Sequence, residues 1–353
     1  MTLVNTLVTM TSHPIHLVTA RAGGAFESHV DKRVVRVVLG RKHVSHSVLR
    51  LARYIRVERP VAMISTLDYC NVVFLFATLL TRIPLRKVIR DANVFQDAFP
   101  SARARVRAMF LRFLMRLLYR RADDVVIITE DVGRSLLQHR MVPADRMRRI
   151  PNPVLLQKSN LSRFSDVSQV PCDPFILAIG RLSPQKGFDI LIRAFALLPD
   201  ADVKLVILGE GPLESQLKTL AADQGVQDRI IFQGFVQNPP EYLRLASLFV
   251  LSSRWEGFSN VLTEALAAGT PIVSTDCPGS PREVLDNGRF GRLVDVGDPQ
   301  KLAKAMDAEL HSQTASAEAR MEHAANYAAE AVTEQYLHVL LSGHSQHLSC
   351  PPR

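Results

Sequence analysis

Short β-branched, apolar runs alternate along this chain with longer stretches whose apolar positions recur at helical spacing, the pattern of parallel α/β sheets. In the first half, the runs at 15–20, 34–39, 61–66, 87–90, 124–129 and 148–150 predict strands, and helical periodicity fits 47–57, 69–81, 102–121 and 131–138. Pro151-Asn152-Pro153 then breaks the alternation, so the first domain is expected to span 1–153, followed by a polar linker over 154–170. The alternation resumes in a second domain, 171–316, with strands at 175–180, 203–208, 230–233, 248–251, 271–274 and 291–294. Its helices are expected at 187–198, 214–224, 240–245, 260–268 and 299–310. A helix over 317–341 is expected to close the fold, and the polar tail 342–353 to be disordered. Ligands of doubly wound sheets sit beyond the carboxyl ends of the strands, which makes the loops after Gly180, Leu208, Gln233 and Leu251 the candidate ligand loops.

Length and composition narrow the class without changing this picture. A chain of 353 residues can bury two cores, and 47% hydrophobic against 22% charged residues argues against disorder. Cys70, Cys172, Cys277 and Cys350 are scattered without metal-like spacing, which suits a reducing cytosol. No segment reaches the roughly 18 uninterrupted apolar residues of a membrane span, and the first ten residues lack a basic region before an apolar core. The expected protein is neither secreted nor membrane-spanning.

Charge adds an asymmetry. The net charge is +9, but residues 1–160 hold 27 basic against 11 acidic residues, while 161–353 hold 16 against 23. A basic first half suggests an anionic partner, either nucleic acid or an anionic membrane surface, with a merely solvated basic face as the plain alternative. Within it, the 102–121 helix carries Val106, Met109, Phe110, Phe113, Leu114, Leu117 and Leu118 on one stripe, ringed by Arg103, Arg105, Arg107, Arg112, Arg116, Arg120 and Arg121. Such a helix suits an anionic leaflet, and equally a core-facing helix with a basic outer face.

The densest candidate chemistry lies in 253–283, SRWEGFSNVLTEALAAGTPIVSTDCPGSPRE. Gly257, Ser259 and Asn260 suit a bend and an N-cap, after which Val261, Leu262, Ala265 and Leu266 keep helical spacing. Glu256 is therefore expected in a loop and Glu264 about one turn into a helix, both beside a helix N-terminus suited to phosphate. Carboxylates are acceptors only and hold sugar or ribose hydroxyls well. Upstream, G-R-L-S-P-Q-K-G-F places Gly180 at a strand end and Arg181 and Lys186 on one loop, either a diphosphate clamp or a capping loop with solvated charges. Gly209-Glu210-Gly211-Pro212 taken alone reads as an ordinary strand-to-helix turn.

In their order, G-R-x-x-x-x-K-G, G-E-G-P and E-G-F-S-N-V-L-T-E-A-L-A-A-G-T-P-I-V-S-T-D resemble the retaining glycosyltransferases of the GT-B fold, family 4. The resemblance is close over 171–341 and looser over 61–153, through S-T-L-D-Y-C-N, R-D-A-N and I-P-N-P. It implies two Rossmann-like doubly wound domains with an interdomain cleft and a closing C-terminal helix. It further implies transfer of a hexose or N-acetylhexosamine from a nucleotide diphosphate sugar, UDP-sugar foremost, to a lipid-linked or envelope glycan. No cofactor and no metal are implied, and no D-x-D motif is present. Carried over, Arg181 and Lys186 would bind the diphosphate and stabilise charge on it as it leaves, Glu256 would hold the donor sugar, and Glu264 the ribose. Gly180, Gly209, Gly211 and Gly257, with the amides of Phe258, Ser259, Asn260 and Val261, would complete the donor site. Acceptor-side candidates are Asn71, Arg90 and Asn93, for which capping is an equal reading. Retention by double displacement through Glu256, or by same-face attack with the diphosphate taking the acceptor's proton, both remain open, the second preferred because no nucleophile with its own base is evident.

The family pattern departs at the start. Residues 1–11 resemble the helix that follows the family's Gly-rich loop, and H-P-I-H-L-V-T-A its second strand, so the first strand and its loop are expected to be absent. That motivates an alternative, a catalytically impaired relative that still binds nucleotide sugar or a partner. A nucleic-acid binder lacks any recognised motif, and a nucleotide-sugar 2-epimerase would show acid and histidine groups in place of this arrangement. The expected location is the cytoplasm, peripheral at the inner face of the cytoplasmic membrane.

Overall fold

Where the sequence alternates, the computed structural model sets parallel strands beneath helices, and it describes residues 1–23, 27–40, 43–92, 102–155, 174–200, 202–236 and 238–342. The chain forms two compact units, Met1–Pro153 with Ala329–Arg353, and Val154–Ala328.

The first unit runs α1 (Thr2–Met10), β1 (His16–Thr19), β2 (Val35–Val38), α2 (Val48–Glu58), β3 (Ala62–Thr66), α3 (Asp68–Thr81) and β4 (Arg86–Asp91). It continues through α4 (Ala102–Leu118), β5 (Asp124–Ile127), α5 (Glu130–Gln138) and β6 (Met147–Arg149). Among the described residues β1 pairs with β2 in one parallel sheet, and β3-β4-β5-β6 form another in that order. The apolar residues Val88, Val126 and Ile150 meet Val332, Tyr336 and Val339 from the end of the chain in one buried cluster.

The second unit runs β7 (Phe175–Ile179), α6 (Phe188–Phe195), β8 (Lys204–Leu208), α7 (Glu214–Asp223), β9 (Ile230–Gly234), α8 (Pro239–Leu245) and β10 (Leu248–Leu251). It continues through α9 (Asn260–Ala268), β11 (Ile272–Thr275), α10 (Pro281–Val284), β12 (Arg292–Val294), α11 (Pro299–His311) and α12 (Ala317–Ala324). Its parallel sheet has the order β12-β11-β10-β7-β8-β9, so β7 lies centrally and the strand order reverses between β7 and β10. Alternate residues of the inner strands feed two cores: Ile176, Ala178, Leu205 and Ile207 join α6 and α11, while Leu177, Val206 and Phe249 join α9. Burial on both faces is why these strands read as continuous apolar runs. In the first unit, by contrast, no described strand joins β1 to β3, the place that β7 holds in the second.

The single helix expected over 317–341 is corrected. It is α12, a turn at Ala325–Tyr327, and α13 (Ala329–Leu341), with α13 belonging to the first unit. The break follows from pairing, because Val154 bridges Ala328 and its N–H donates to the Tyr327 carbonyl at 2.8 Å, a carbonyl that a continuous helix would have used internally. Val154, expected in the linker, is thereby buried in the second unit; 156–170 and the tail 343–353 lie outside the described residues. Another buried group sets the far end of α9: Arg320, fully buried, donates to the carbonyls of Gly269 and Ala315 at 3.0 and 2.7 Å and to Gln313 Oε1 at 2.9 Å.

Candidate functional site

β7 ends at the reversal point of strand order, and Gly180 follows it. A Cβ at Gly180 would lie 3.0 to 3.2 Å from the Lys186 stem, so glycine lets the lysine chain lie flat over the strand end. The turn Pro184–Lys186 then delivers Gly187 with φ 62°, where a Cβ would sit 2.1 Å from the Ser252 carbonyl oxygen. Only glycine accepts both that backbone and that contact. Ser252 Oγ returns a bond to the Lys186 carbonyl at 2.8 Å, tying the β7 loop to the β10 loop.

Across this junction Lys186 Nζ donates to Glu256 Oε1 at 2.6 Å, and Ser253 Oγ donates to the same oxygen at 2.6 Å. The pair is largely removed from water, with side-chain exposures of 17% for Lys186 and 6% for Glu256. A capping loop with solvated charges therefore does not describe Lys186. Arg181 differs: it is exposed, and although its carbonyl accepts the Ser183 N–H at 2.8 Å, its guanidinium makes no hydrogen bond or ion pair with another described residue. The loops are further clamped by Arg254, which grips Asp189 with two bonds of 2.9 and 2.7 Å and the Pro184 carbonyl at 2.8 Å. That guanidinium holds the Asp189 carboxyl below the usual carboxylate range.

Gly209 and Gly211 serve backbone packing. Gly209 has φ 129° and a Cβ there would be 2.1 Å from the Gly180 carbonyl oxygen; one at Gly211 would be 2.4 Å from that of Leu182. The β8 loop thus rests directly on the β7 loop, which explains both glycines without a ligand. The loop after β11 does the same on the other side, where Gly279 at φ 123° leaves room for the Glu256 carbonyl. The Glu256 N–H donates to Pro278 at 2.9 Å, and the buried Cys277 beside it has its thiol pushed up to about 12 by burial first and by Glu256 second.

Gly257 and Phe258 are half-buried in the turn before α9, and the Phe258 ring packs 5.9 Å from that of Tyr327. Ser259 is the N-cap and is buried; its N–H donates to Ser280 Oγ at 2.8 Å, while its own Oγ has no partner among the described residues. Asn260 and Val261 open α9, whose first amides have no acceptor within the helix. Glu264 lies one turn on, half-buried, and desolvation raises its carboxyl above the usual range. No hydrogen bond between described residues joins it to the Lys186–Glu256 cluster.

Since the folded state favours protonated Glu264 more than the unfolded state does, stability attributable to this group falls as pH rises above the unfolded value of 4.5. Glu264→Gln is therefore expected to flatten the decline in melting temperature above that pH and to be the more stable protein at neutrality. Melting curves of both proteins across the acid-to-neutral range check this; parallel curves would show that Glu264 carries no buried charge.

The acceptor-side candidates lie in different settings. Asn71 is fully buried, and its amide N–H groups donate to the Arg90 carbonyl and to Tyr119 Oη, each at 3.1 Å, which ties α3 to β4, while its Oδ1 has no partner among the described residues. Arg90 spends its guanidinium on Tyr336 Oη at 3.1 Å, Thr66 Oγ1 at 3.0 Å and Asn152. Asn93 lies outside the described residues. Sequence reasoning missed Ser253, the Arg254–Asp189 clamp and Cys277. Ser253 adjoins the motif, but nothing local links Arg254 to a residue 65 positions away.

Comparison with known proteins extends this geometry. A family model described as glycosyl transferases group 1 matches 164–330, and one described as glycosyl transferase 4-like domain matches 3–153. The lipopolysaccharide core biosynthesis mannosyltransferase LpsB of Rhizobium meliloti is 30% identical over 275 residues, 71% of this chain and 73% of that protein. The N-acetylgalactosamine-N,N'-diacetylbacillosaminyl-diphospho-undecaprenol 4-alpha-N-acetylgalactosaminyltransferase of Campylobacter jejuni is 33% identical over 195 residues, 55% of this chain. The matched part spans about half of that relative's length, 53%. Anabaena Alr3699/HepE, solved in complex with UDP, superposes with a TM-score of 0.78 at 20% identity, covering 93% of this chain and 92% of that one. At that identity the likeness shows the fold, which is GT-B.

Proposed function

Because the chain belongs to the group 1 glycosyltransferases, we propose that it transfers a hexose or N-acetylhexosamine from a nucleotide diphosphate sugar to a lipid-linked or envelope glycan, with retention of configuration. The observation that carries this reading is the Lys186–Glu256–Ser253 cluster over Gly180, set at the reversal point of the sheet and beside the α9 N-terminus. Ligands of open α/β sheets bind at that point.

In this reading the α9 amides and Arg181 receive the diphosphate. Lys186 and Arg181 then stabilise the charge that grows on it without a divalent metal. Glu256, with one oxygen already accepting two hydrogen bonds, turns its remaining acceptor capacity to donor-sugar hydroxyls. That occupation disfavours it as a nucleophile and supports same-face attack, in which the departing diphosphate accepts the acceptor's proton. Glu264 holds the ribose hydroxyls, and their hydrogen bonds would stabilise its charged form. The diphospho-undecaprenol substrate named for one relative and the lipopolysaccharide core biosynthesis named for another support a lipid-linked acceptor, and the UDP complex of the solved neighbour supports a UDP-sugar.

Calorimetric titration with UDP-, GDP- and ADP-sugars tests the donor site. One class, UDP-sugars foremost, is expected to bind, and Glu264→Ala to weaken it by about 10- to 100-fold through lost charged hydrogen bonds. Folded protein that binds none of them, or a variant that binds as tightly, would overturn the assignment. A second reading, a relative that binds its donor without transferring it, is favoured by the separate β1–β2 and β3–β6 sheets. Donor binding without turnover on lipid-linked acceptors would select it.

A further inference from the structure

α4 carries two apolar faces. Met115 and Leu118, at 0% and 3% exposure, are buried in the first unit, with Leu111 and Leu114 half-buried beside them. Val106, Met109, Phe110, Phe113 and Leu117 are instead 60 to 67% exposed. At about 100° per residue these five fall within a band of about 100° on the side opposite Met115. Arg103 and Arg107 line one edge of that band and Arg105, Arg112 and Arg116 the other, with Arg120 and Arg121 at its end. From 102 to 121 there is no Asp or Glu. Arg107 also lies 5.2 Å from the Tyr69 ring, which fixes its place between the two faces.

A core-facing helix with a basic outer face accounts for Met115 and Leu118 and leaves the exposed stripe unexplained. Contiguous exposed apolar side chains mark an interaction surface. Three kinds of partner can be weighed by chemistry. A second copy would bring seven arginines against seven with no acid on either helix to offset them. A nucleic acid would answer the arginines but not Val106, Met109 or Leu117, which neither stack on bases nor bind phosphate. An anionic bilayer answers both, since acyl chains take the stripe and headgroup phosphates take the guanidinium groups. With 17 residues the helix is about 26 Å long and lies in the interface rather than across it. Among the described residues no helix is long and apolar enough to cross a membrane.

We infer that α4 is an interfacial helix that seats Val106, Met109, Phe110, Phe113 and Leu117 in an anionic membrane surface, with Arg103, Arg105, Arg120 and Arg121 on the lipid phosphates, while Arg116 is held by the His139 carbonyl at 3.1 Å. This stands on the first unit alone and does not depend on the donor site.

Co-sedimentation of the full chain tests it, using vesicles of phosphatidylcholine alone and of phosphatidylcholine with phosphatidylglycerol in roughly equal parts. The protein is expected to bind the anionic vesicles at least about tenfold more tightly, with binding weakened by salt. Phe110→Ser with Phe113→Ser is expected to reduce binding by about tenfold or more while leaving circular dichroism and nucleotide-sugar binding unchanged. Arg103→Gln with Arg105→Gln and Arg120→Gln is expected to remove most of the preference for anionic lipid. Wild type that ignores anionic vesicles, or a double phenylalanine variant that binds as well as wild type, overturns the inference. So does a wild-type dimer that the phenylalanine changes dissociate, which would make a second copy the occupant. Loss of sugar-nucleotide binding with vesicle binding intact would count against the donor site only.

Discussion

Lys186→Ala is expected to reduce transfer by about 100- to 1,000-fold, the scale for removing one group that stabilises charge developing in the transition state. It is also expected to destabilise the fold, for a different reason. Glu256 is 6% exposed at its side chain, and without the lysine its carboxylate keeps only Ser253 as a described partner. Stranding a buried charge costs about 3 kcal/mol. The two effects separate in the double variant Lys186→Ala with Glu256→Ala. Removing the stranded carboxylate should restore part of the stability lost by Lys186→Ala, because neighbours in one pair are not additive. Activity should stay lost. Urea denaturation and initial rates on the four proteins check both halves. A folded Lys186→Ala protein with rates within a few-fold of wild type would remove Lys186 from the chemistry.

Gly209→Ala is expected to be the most damaging of the glycine changes at this site, destabilising by about 3 kcal/mol or more from backbone strain and overpacking together. At φ 129° the backbone is one that side-chain-bearing residues rarely adopt, and the new methyl would meet the Gly180 carbonyl oxygen at 2.1 Å and its carbon at 2.9 Å. Both obstacles are backbone at the centre of the sheet, so no side chain can turn aside. Relief must displace Gly180, and with it the Lys186 stem that lies over it. Gly225→Ala is the matched control: φ is 69° there, but nothing lies within 4 Å of an added Cβ. It is expected to cost only about 1 kcal/mol, the left-handed penalty alone. Equal losses in guanidinium melts of the two variants would mean that the contact between the β7 and β8 loops does not hold the site.

Both predictions rest on a site that was only partly visible in the linear chain. Arg181, Lys186, Glu256 and Glu264 stand out because glycine-bracketed loops follow apolar runs, and the turn Gly257–Asn260 announces α9. The inner strands Phe175–Ile179, Lys204–Leu208, Leu248–Leu251 and Ile272–Thr275 were legible because burial on both faces leaves an apolar signature. Three features were not legible. Asn71 and Arg90 sit near strand ends, where a polar side chain serves a ligand or the fold equally well, and their bonds to Tyr119, Tyr336 and Asn152 became visible only in the structure. The end of the chain keeps helical periodicity through 317–341, which hides the turn at Ala325–Tyr327. In α4 periodicity shows apolar positions but mixes two faces, placing Leu118 with Val106 although one is buried and the other exposed.

What the sequence determined by itself is local: where strands and helices lie, which glycines free the backbone, and which loops carry charge. Each of these depends on side chains within one or two turns or on a period of 2 or 3.6 residues. What tertiary structure alone decided is pairing at a distance. Lys186 finds Glu256 across 70 positions, Arg254 finds Asp189, and Val154 holds Ala328 extended so that α13 returns to the first unit. The first two contacts arise because parallel strands β7 and β10 become neighbours only when the sheet is assembled, bringing the segments that follow them together at the point where strand order reverses.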